Sequence, residues 1–301
     1  MTAQRTAPEW LSRQLHFDGA LYGEQADRVL LSVVDPFIRR ARAERLLTNW
    51  FFIRFGEAGT HIRLRVLAAP EKTELLDAAL SLIIDDECAA ASAFASRRLV
   101  DVRRDQYLPE LERYGGEHAM RLSEEIFNCC SEAALDQLRK LNPTDQSARL
   151  AKALLSQLVL LHAFAGSREA ARIVAGLYST NCIRSSAATP RTEIREAFES
   201  GFEKQETFLS GVVHDVWNRL EIGESLLAEL DTLRHRLLDL SGRLYALCEA
   251  GKVAYRGYTV TSPQMCVRTI VPSYIHMMNN RLGVSVIEEA FLAHVAARSL
   301  S

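Results

Sequence analysis

Two short runs of alternating polarity, Trp50–Phe55 and His61–Val66, face each other across Gly56-Glu57-Ala58-Gly59. Successive side chains on a strand point to opposite faces, so each run divides by parity. Antiparallel pairing across those four turn residues, a common hairpin loop length, predicts one wholly apolar face. That face would carry Phe51, Ile53, Phe55, Ile62, Leu64 and Val66; the other would carry Phe52, Arg54, His61, Arg63 and Arg65. So apolar a face needs a cover, and helices are the ordinary one. A slip of one residue would turn the arginines over, which makes the register a strong constraint.

Trp10–Phe17 alternates well enough for a first strand, ended by Gly19 and Gly23. From Glu24 to Leu47 the apolar positions have helical spacing, with Pro36 placed to kink or divide the segment. Pro70 opens a helix with Glu71 and Glu74 in its first turn, running to about Asp86. Arg98–Tyr107 reads as another strand, and Gly115-Gly116 closes an irregular stretch before a helix from Glu117 to about Leu141. Residues 146–176, 192–220 and 225–250 are helical by periodicity, and Ser179–Pro190 reads as a loop. Pro272 suits the first turn of a helix that sets His276 and Asn280 four apart, with Met277 and Arg281 on the next face. Gly283 suits its C-terminal cap, and a last helix covers Val284–Ser299. The expected class is α+β: a small antiparallel sheet built on an N-terminal hairpin, packed with a large, mostly helical remainder. It reads as a single domain over 1–301, with a helical region at about 142–258.

Composition narrows this picture. The 301 residues, 48% of them hydrophobic, suffice for a sizeable core, and a net charge of -2 offers no global basic field to nucleic acid. No apolar run approaches a membrane span, and the N-terminus lacks the apolar core of a signal peptide. The six cysteines contain no CxxC and the eight histidines no HxxxH. Reduced, mostly buried thiols in a cytoplasmic protein without a metal site are the expectation.

The hairpin's cations have two readings: a solvated face paired to acidic neighbours, or a site for a carboxylate or phosphate. His276 reads as a helix histidine bonded to a neighbour or as a proton-transfer group. Arg113 reads as a brace for the Gly-Gly turn. The pair Cys129-Cys130 reads as buried and inert, and the serines lack a GxSxG context.

Three stretches together resemble one family: FFIRFGEAGTHIRLRV at 51–66, ELERYGGEHAMRLSEEIF at 110–127 and SYIHMMNNRLG at 273–283. They look like the C-terminal elimination domain of class I lantibiotic dehydratases, which also occurs as stand-alone proteins in thiopeptide biosynthesis. The resemblance implies a β-elimination. A separate glutamyl-tRNA-dependent subunit esterifies Ser or Thr of a precursor peptide, and this chain expels glutamate to leave dehydroalanine or dehydrobutyrine. It implies no cofactor, no direct contact with nucleic acid or membrane, and it leaves dimerisation open. The family's elimination residues fall on Arg63, Arg65, Arg113 and His276, which are expected to converge as the catalytic set. Departures from the family pattern are Ala58-Gly59-Thr60 in place of a proline-containing turn and Cys130-Ser131 in place of Asp-Ser.

Arginine forks suit the carboxylates of such a substrate, and a histidine near pKa ~6.5 suits proton transfer at neutral pH, as base or as acid. Arg54, His61, Asn280 and Arg281 are further substrate-binding candidates from the residues themselves, with Asn280 placed to orient the His276 ring. Two other readings compete. One is a thiopeptide pyridine synthase, joining two dehydroalanines by a formal [4+2] cycloaddition with release of the leader. The other is a non-catalytic scaffold for the peptide or the glutamylating partner.

Overall fold

The computed structural model describes residues 7–92, 99–185 and 190–301, and its architecture is the expected α+β. Two compact units form: Met1–Pro109 with Ala134–Thr144, and Glu110–Ala133 with Asp145–Ser301.

The first unit holds a four-stranded antiparallel sheet in the order β2-β3-β1-β4, from β1 (Glu9–Phe17), β2 (Asn49–Phe55), β3 (His61–Ala68) and β4 (Leu99–Asp105). Arg98, predicted to begin β4, lies outside the described residues. The predicted helix from Glu24 to Leu47 is not divided at Pro36: it runs on to Ala43 and absorbs the proline in a π segment just before it. α1 (Glu24–Val29) runs through a π turn at Leu30–Val34 into α2 (Asp35–Ala43), whose first turn holds Pro36. Proline supplies no N–H and crowds the carbonyl four residues back, and a wider turn just before it relieves both. Pro70–Lys72 forms a 3-10 turn leading to α3 (Thr73–Ser92).

The hairpin register differs from the expectation. Phe55 pairs with His61, so five residues and not four make the loop. The extra residue, Thr60, is tied to β1, its hydroxyl donating to the Phe17 carbonyl at 2.8 Å. One added residue turns over every side chain of β3. Trp50, Phe52, Arg54, Ile62, Leu64 and Val66 therefore share a face on which all are buried, each apolar member contributing roughly 1.5–3 kcal/mol. Phe51, Ile53, Phe55, His61, Arg63 and Arg65 share the other.

The second unit is a helical body. α4 (Glu117–Arg139) begins in it and contributes its last turns to the first unit. There follow α5 (Gln146–Ala165), α6 (Arg168–Ser185), α7 (Arg191–Glu203), α8 (Glu206–Glu221) and α9 (Ala228–Glu249). Two strands of a small hairpin, β5 (Ala254–Tyr255) and β6 (Tyr258–Thr259), lead to α10 (Pro263–Leu282) and α11 (Val286–Ser299). The long stretch read as one helix over 146–176 is broken at Gly166, left-handed at φ 71. The predicted loop at Ser179–Pro190 is helical through Ser185, and residues 186–189 lie outside the described ones. α5 is, among the described residues, long and apolar enough by length and composition to cross a membrane, contrary to the reading that no segment is. It is 61% buried, as the core helix of this unit.

α10 organises the unit. Ser262 caps it, its hydroxyl accepting from the Met265 amide, and Pro263 occupies the first turn where its missing N–H costs nothing. Pro272 thus lies in mid-helix, not in the first turn as its sequence suggested. Gly283, left-handed at φ 76, ends it. Arg149, buried on α5, donates to the Leu282 carbonyl at 2.6 Å. Tyr274 of α10 stacks on Tyr114 at 5.9 Å and meets Phe164 at 5.5 Å, with its hydroxyl 2.8 Å from Ser123.

Candidate functional site

A cavity of about 340 Å³ opens in the second unit beside α10. Arg268, Thr269, Pro272, Ser273 and His276 line it from α10, Tyr178, Asn181, Cys182 and Ser185 from α6, and Val286 and Glu289 from α11. Arg113 and Tyr255 complete its wall. Positions 268, 272 and 276 repeat every four residues, so a single stripe of α10 faces the cavity.

The turn at 110–116 delivers Arg113. Gly115 and Gly116 both have φ 87, a conformation that side-chain-bearing residues seldom take. A Cβ on Gly115 would lie 2.8 Å from Ile270 and 3.0 Å from both Ala119 and Val253. The backbone therefore approaches α10 as closely as glycine allows. The Ala254 amide donates to the Gly115 carbonyl at 3.0 Å, which also fixes the β5–β6 hairpin and brings Tyr255 to the cavity. Arg113 donates to the Ser273 hydroxyl at 3.0 Å and to Glu110 at 3.1 Å.

His276 is held by a carboxylate. Its Nδ1 lies 2.8 Å from Oε1 of Glu289, whose side chain is 1% exposed against 31% for the histidine. Burial, and then the nearby Glu289 charge, pushes the Tyr178 hydroxyl well up and the Cys182 thiol up to about 12. Both stay protonated at neutral pH. Arg268 is exposed and, among the described residues, has no hydrogen-bond or ion-pair partner. The cavity thus has a buried acid behind an imidazole, a braced arginine and an uncommitted one. This set suits proton transfer on a substrate that carries a carboxylate.

Of the sequence candidates, Arg113 and His276 meet here. Asn280 and Arg281 do not line the cavity. Asn280 is buried one turn beyond His276, and Glu289, not Asn280, holds the ring. Arg281 is fully buried, donating to the Ser131 hydroxyl at 2.9 Å and to the Met277 carbonyl at 2.8 Å, with Phe127 under its guanidinium. It braces α10 on α4.

Arg54, His61, Arg63 and Arg65 belong to the sheet of the first unit. Arg54 is on the opposite face from the other three, a correction that follows from the register. It is 1% exposed and ion-paired at 2.6 Å with Asp27 of α1. His61 is buried, its Nδ1 2.8 Å from the Gly59 carbonyl and its Nε2 accepting from Arg63 at 3.3 Å. Burial first, with help from the charges of His16 and Arg63, holds its pKa below the ordinary value. Arg63 lies over the Phe55 ring at 3.4 Å, and Arg65 over Tyr107 at 5.0 Å and Phe51 at 5.8 Å.

Sequence reasoning missed Glu289, Tyr178 and Arg268. Glu289 stands in Glu288-Glu289 at the start of a helix, where acids are common for dipole reasons, so it gave no signal. Arg268 had one available clue, its eight-residue spacing from His276. Five cysteines, Cys129, Cys130, Cys182, Cys248 and Cys266, are buried free thiols. Among the described residues no group of three His, Cys, Asp or Glu could hold a metal.

No curated protein sequence matches this chain. Among solved structures it is similar to TsrL, with a TM-score of 0.75 at 15% identity over 97% of this chain and 94% of that one. It is similar to TbtD, a pyridine synthase from thiomuracin biosynthesis, with a TM-score of 0.76 at 16% identity over 96% and 97%. It is also similar to MibB, a tRNA-dependent lantibiotic dehydratase from Microbispora sp. 107891, with a TM-score of 0.60 at 20% identity over 99% of this chain and 28% of MibB. At these identities the likeness establishes a shared fold. The three sequence stretches, the common fold and a family match over residues 10–300 agree: the chain belongs to the family of the lantibiotic biosynthesis dehydratase C-terminal domain.

Proposed function

We propose that this chain expels glutamate from glutamylated Ser or Thr of a ribosomally made precursor peptide, leaving dehydroalanine or dehydrobutyrine. The observation that carries the reading is the placement of His276, Arg113 and Arg268 around one cavity. Elimination needs a proton moved at the α-carbon and positive charge for the departing carboxylate, and these groups supply both. Arg63 and Arg65 stand at the family's hairpin arginines and join the catalytic set on that ground. The ester is made by a separate glutamyl-tRNA-dependent subunit in the cytoplasm, and this chain needs no tRNA of its own.

The test is mass spectrometry of a synthetic glutamyl-Ser peptide incubated with the protein alone. Conversion to dehydroalanine, lost in His276→Ala, is expected; Arg63→Ala, Arg65→Ala and Arg113→Ala should each leave the ester in place. An untouched ester with the wild-type protein would refute the reading. The second reading is a pyridine synthase, supported by a TbtD fold of nearly equal extent. A peptide with two dehydroalanines, cyclised with loss of its leader, would move the assignment there.

A further inference from the structure

We propose that His276 is the general base of the elimination and that Glu289 is its positioning residue, an assignment that rests on the function proposed above. The argument starts from the leaving group. Glutamate departs as a carboxylate, an anion stable at neutral pH that needs no proton to go. The difficult transfer is at the α-carbon, so the histidine is best used there. A base needs its lone pair on the nitrogen that faces substrate. The Glu289 carboxylate accepts only, so at 2.8 Å it takes the hydrogen of Nδ1. The lone pair is then on Nε2.

Glu289 is built to keep that role. Its amide bonds the Ser285 carbonyl at 2.9 Å in the first turn of α11, where Ser285 and Glu288 form a capping box. Its Oε2 is buried, with the Tyr178 hydroxyl of α6 close by. Tyr178 and Cys182, beside it on α6, are held neutral, so among the described residues that line the cavity Glu289 is the one acid. Arg113 from the 110–116 turn, itself paired with Glu110, and Arg268 from α10 line the same cavity and oppose that charge, and Tyr255 of β5 lines it too.

In the step, Nε2 takes the α-proton of the acylated residue. The C–H electron pair becomes the second bond between Cα and Cβ. The Cβ–O bond breaks with its pair on the departing glutamate carboxylate, and imidazolium passes its proton to water.

Glu289→Gln and Glu289→Asp test this with the glutamyl-Ser peptide, together with nitrogen NMR of the His276 ring in the full chain, which needs no turnover. Glu289→Gln should lower kcat roughly 100-fold, within the range of general-base contributions, with KM within about twofold. Glu289→Asp should recover part of the rate, and NMR of the wild type should show hydrogen on Nδ1. A Gln variant with wild-type kcat, or a wild-type ring carrying hydrogen on Nε2, would overturn the proposal. A rate loss in Glu289→Gln that only tracks lowered thermal stability, with no recovery in Glu289→Asp, would also overturn it. If the wild-type chain eliminates nothing, the proposed function and the base role fall together, while the NMR still decides whether Glu289 holds the ring.

Discussion

Arg54→Ala tests the sheet register through stability. Arg54 was expected beside Arg63 and Arg65, and the structure turns it instead onto the covered face against Asp27. The pair is sealed, with side-chain exposures of 0% and 2% and an N–O distance of 2.6 Å. Truncating one partner leaves the Asp27 charge buried, at a cost of about 3–5 kcal/mol. A domain holds only about 5–15 kcal/mol in all, so the first unit should lose a large part of its stability. At roughly 2 kcal/mol per molar urea, the midpoint of its unfolding should fall by about 1.5–2.5 M. The double replacement Asp27→Leu with Arg54→Met, which removes both charges and keeps volume, should cost less than the single truncation. Urea titrations followed by tryptophan fluorescence, with Trp50 on the same face, give the midpoints. An Arg54→Ala variant of wild-type midpoint whose only defect is weak peptide binding would refute the register argument and return Arg54 to the substrate face.

The remaining predictions concern the cavity, the turn and pH. Arg268→Ala should raise KM for the glutamyl-Ser peptide about tenfold, near the lower bound for a charged hydrogen bond because the group is exposed, and kcat should change less; steady-state kinetics reads it. Gly115→Ala combines a left-handed backbone at roughly 1–2 kcal/mol with overpacking at roughly 1–3 kcal/mol. Gly116→Ala, whose nearest neighbour is Ala254 at 3.9 Å, should show only the first cost, and thermal melts of the two variants compare them. His16 and His61 have pKa values held below 6.5, mainly by burial, so the folded state keeps them neutral. Their stabilisation is full above 6.5 and is lost as pH falls through the lowered values; Tm should drop on acidification, with a shallower slope in His61→Asn.

Much of the fold was legible because its signals are local. The alternation of Trp50–Phe55 and His61–Val66 gave the strands, Pro36 the disturbance in the first helical run, Gly283 the end of α10, and Gly115-Gly116 the tight turn. The breaks at Gly166 and Lys204-Gln205 were missed, because apolar periodicity continues across them and only helix packing sets the change of direction. Pro272 was read as a helix start, a position proline favours. Ser262 and Pro263 gave an equally good start nine residues earlier, and burial of α10 along its length carried the helix through.

The sequence by itself determined the α+β class, the family and the pairing of His276 with the ERYGG arginine as candidates, since each rests on residue type and order. Tertiary structure decided what touches what. The fifth loop residue, pinned to β1 by Thr60, set which face the arginines take, a matter of one bond made to a strand 43 residues away. Packing of α11 and α6 on α10 put a buried Glu289 behind His276 and Tyr178 beside it, in the cavity that Arg268 also lines. No local pattern encodes these contacts, because a helix fixes only its own neighbours three and four residues away, while the partner of a buried charge is chosen by whichever element is folded against it.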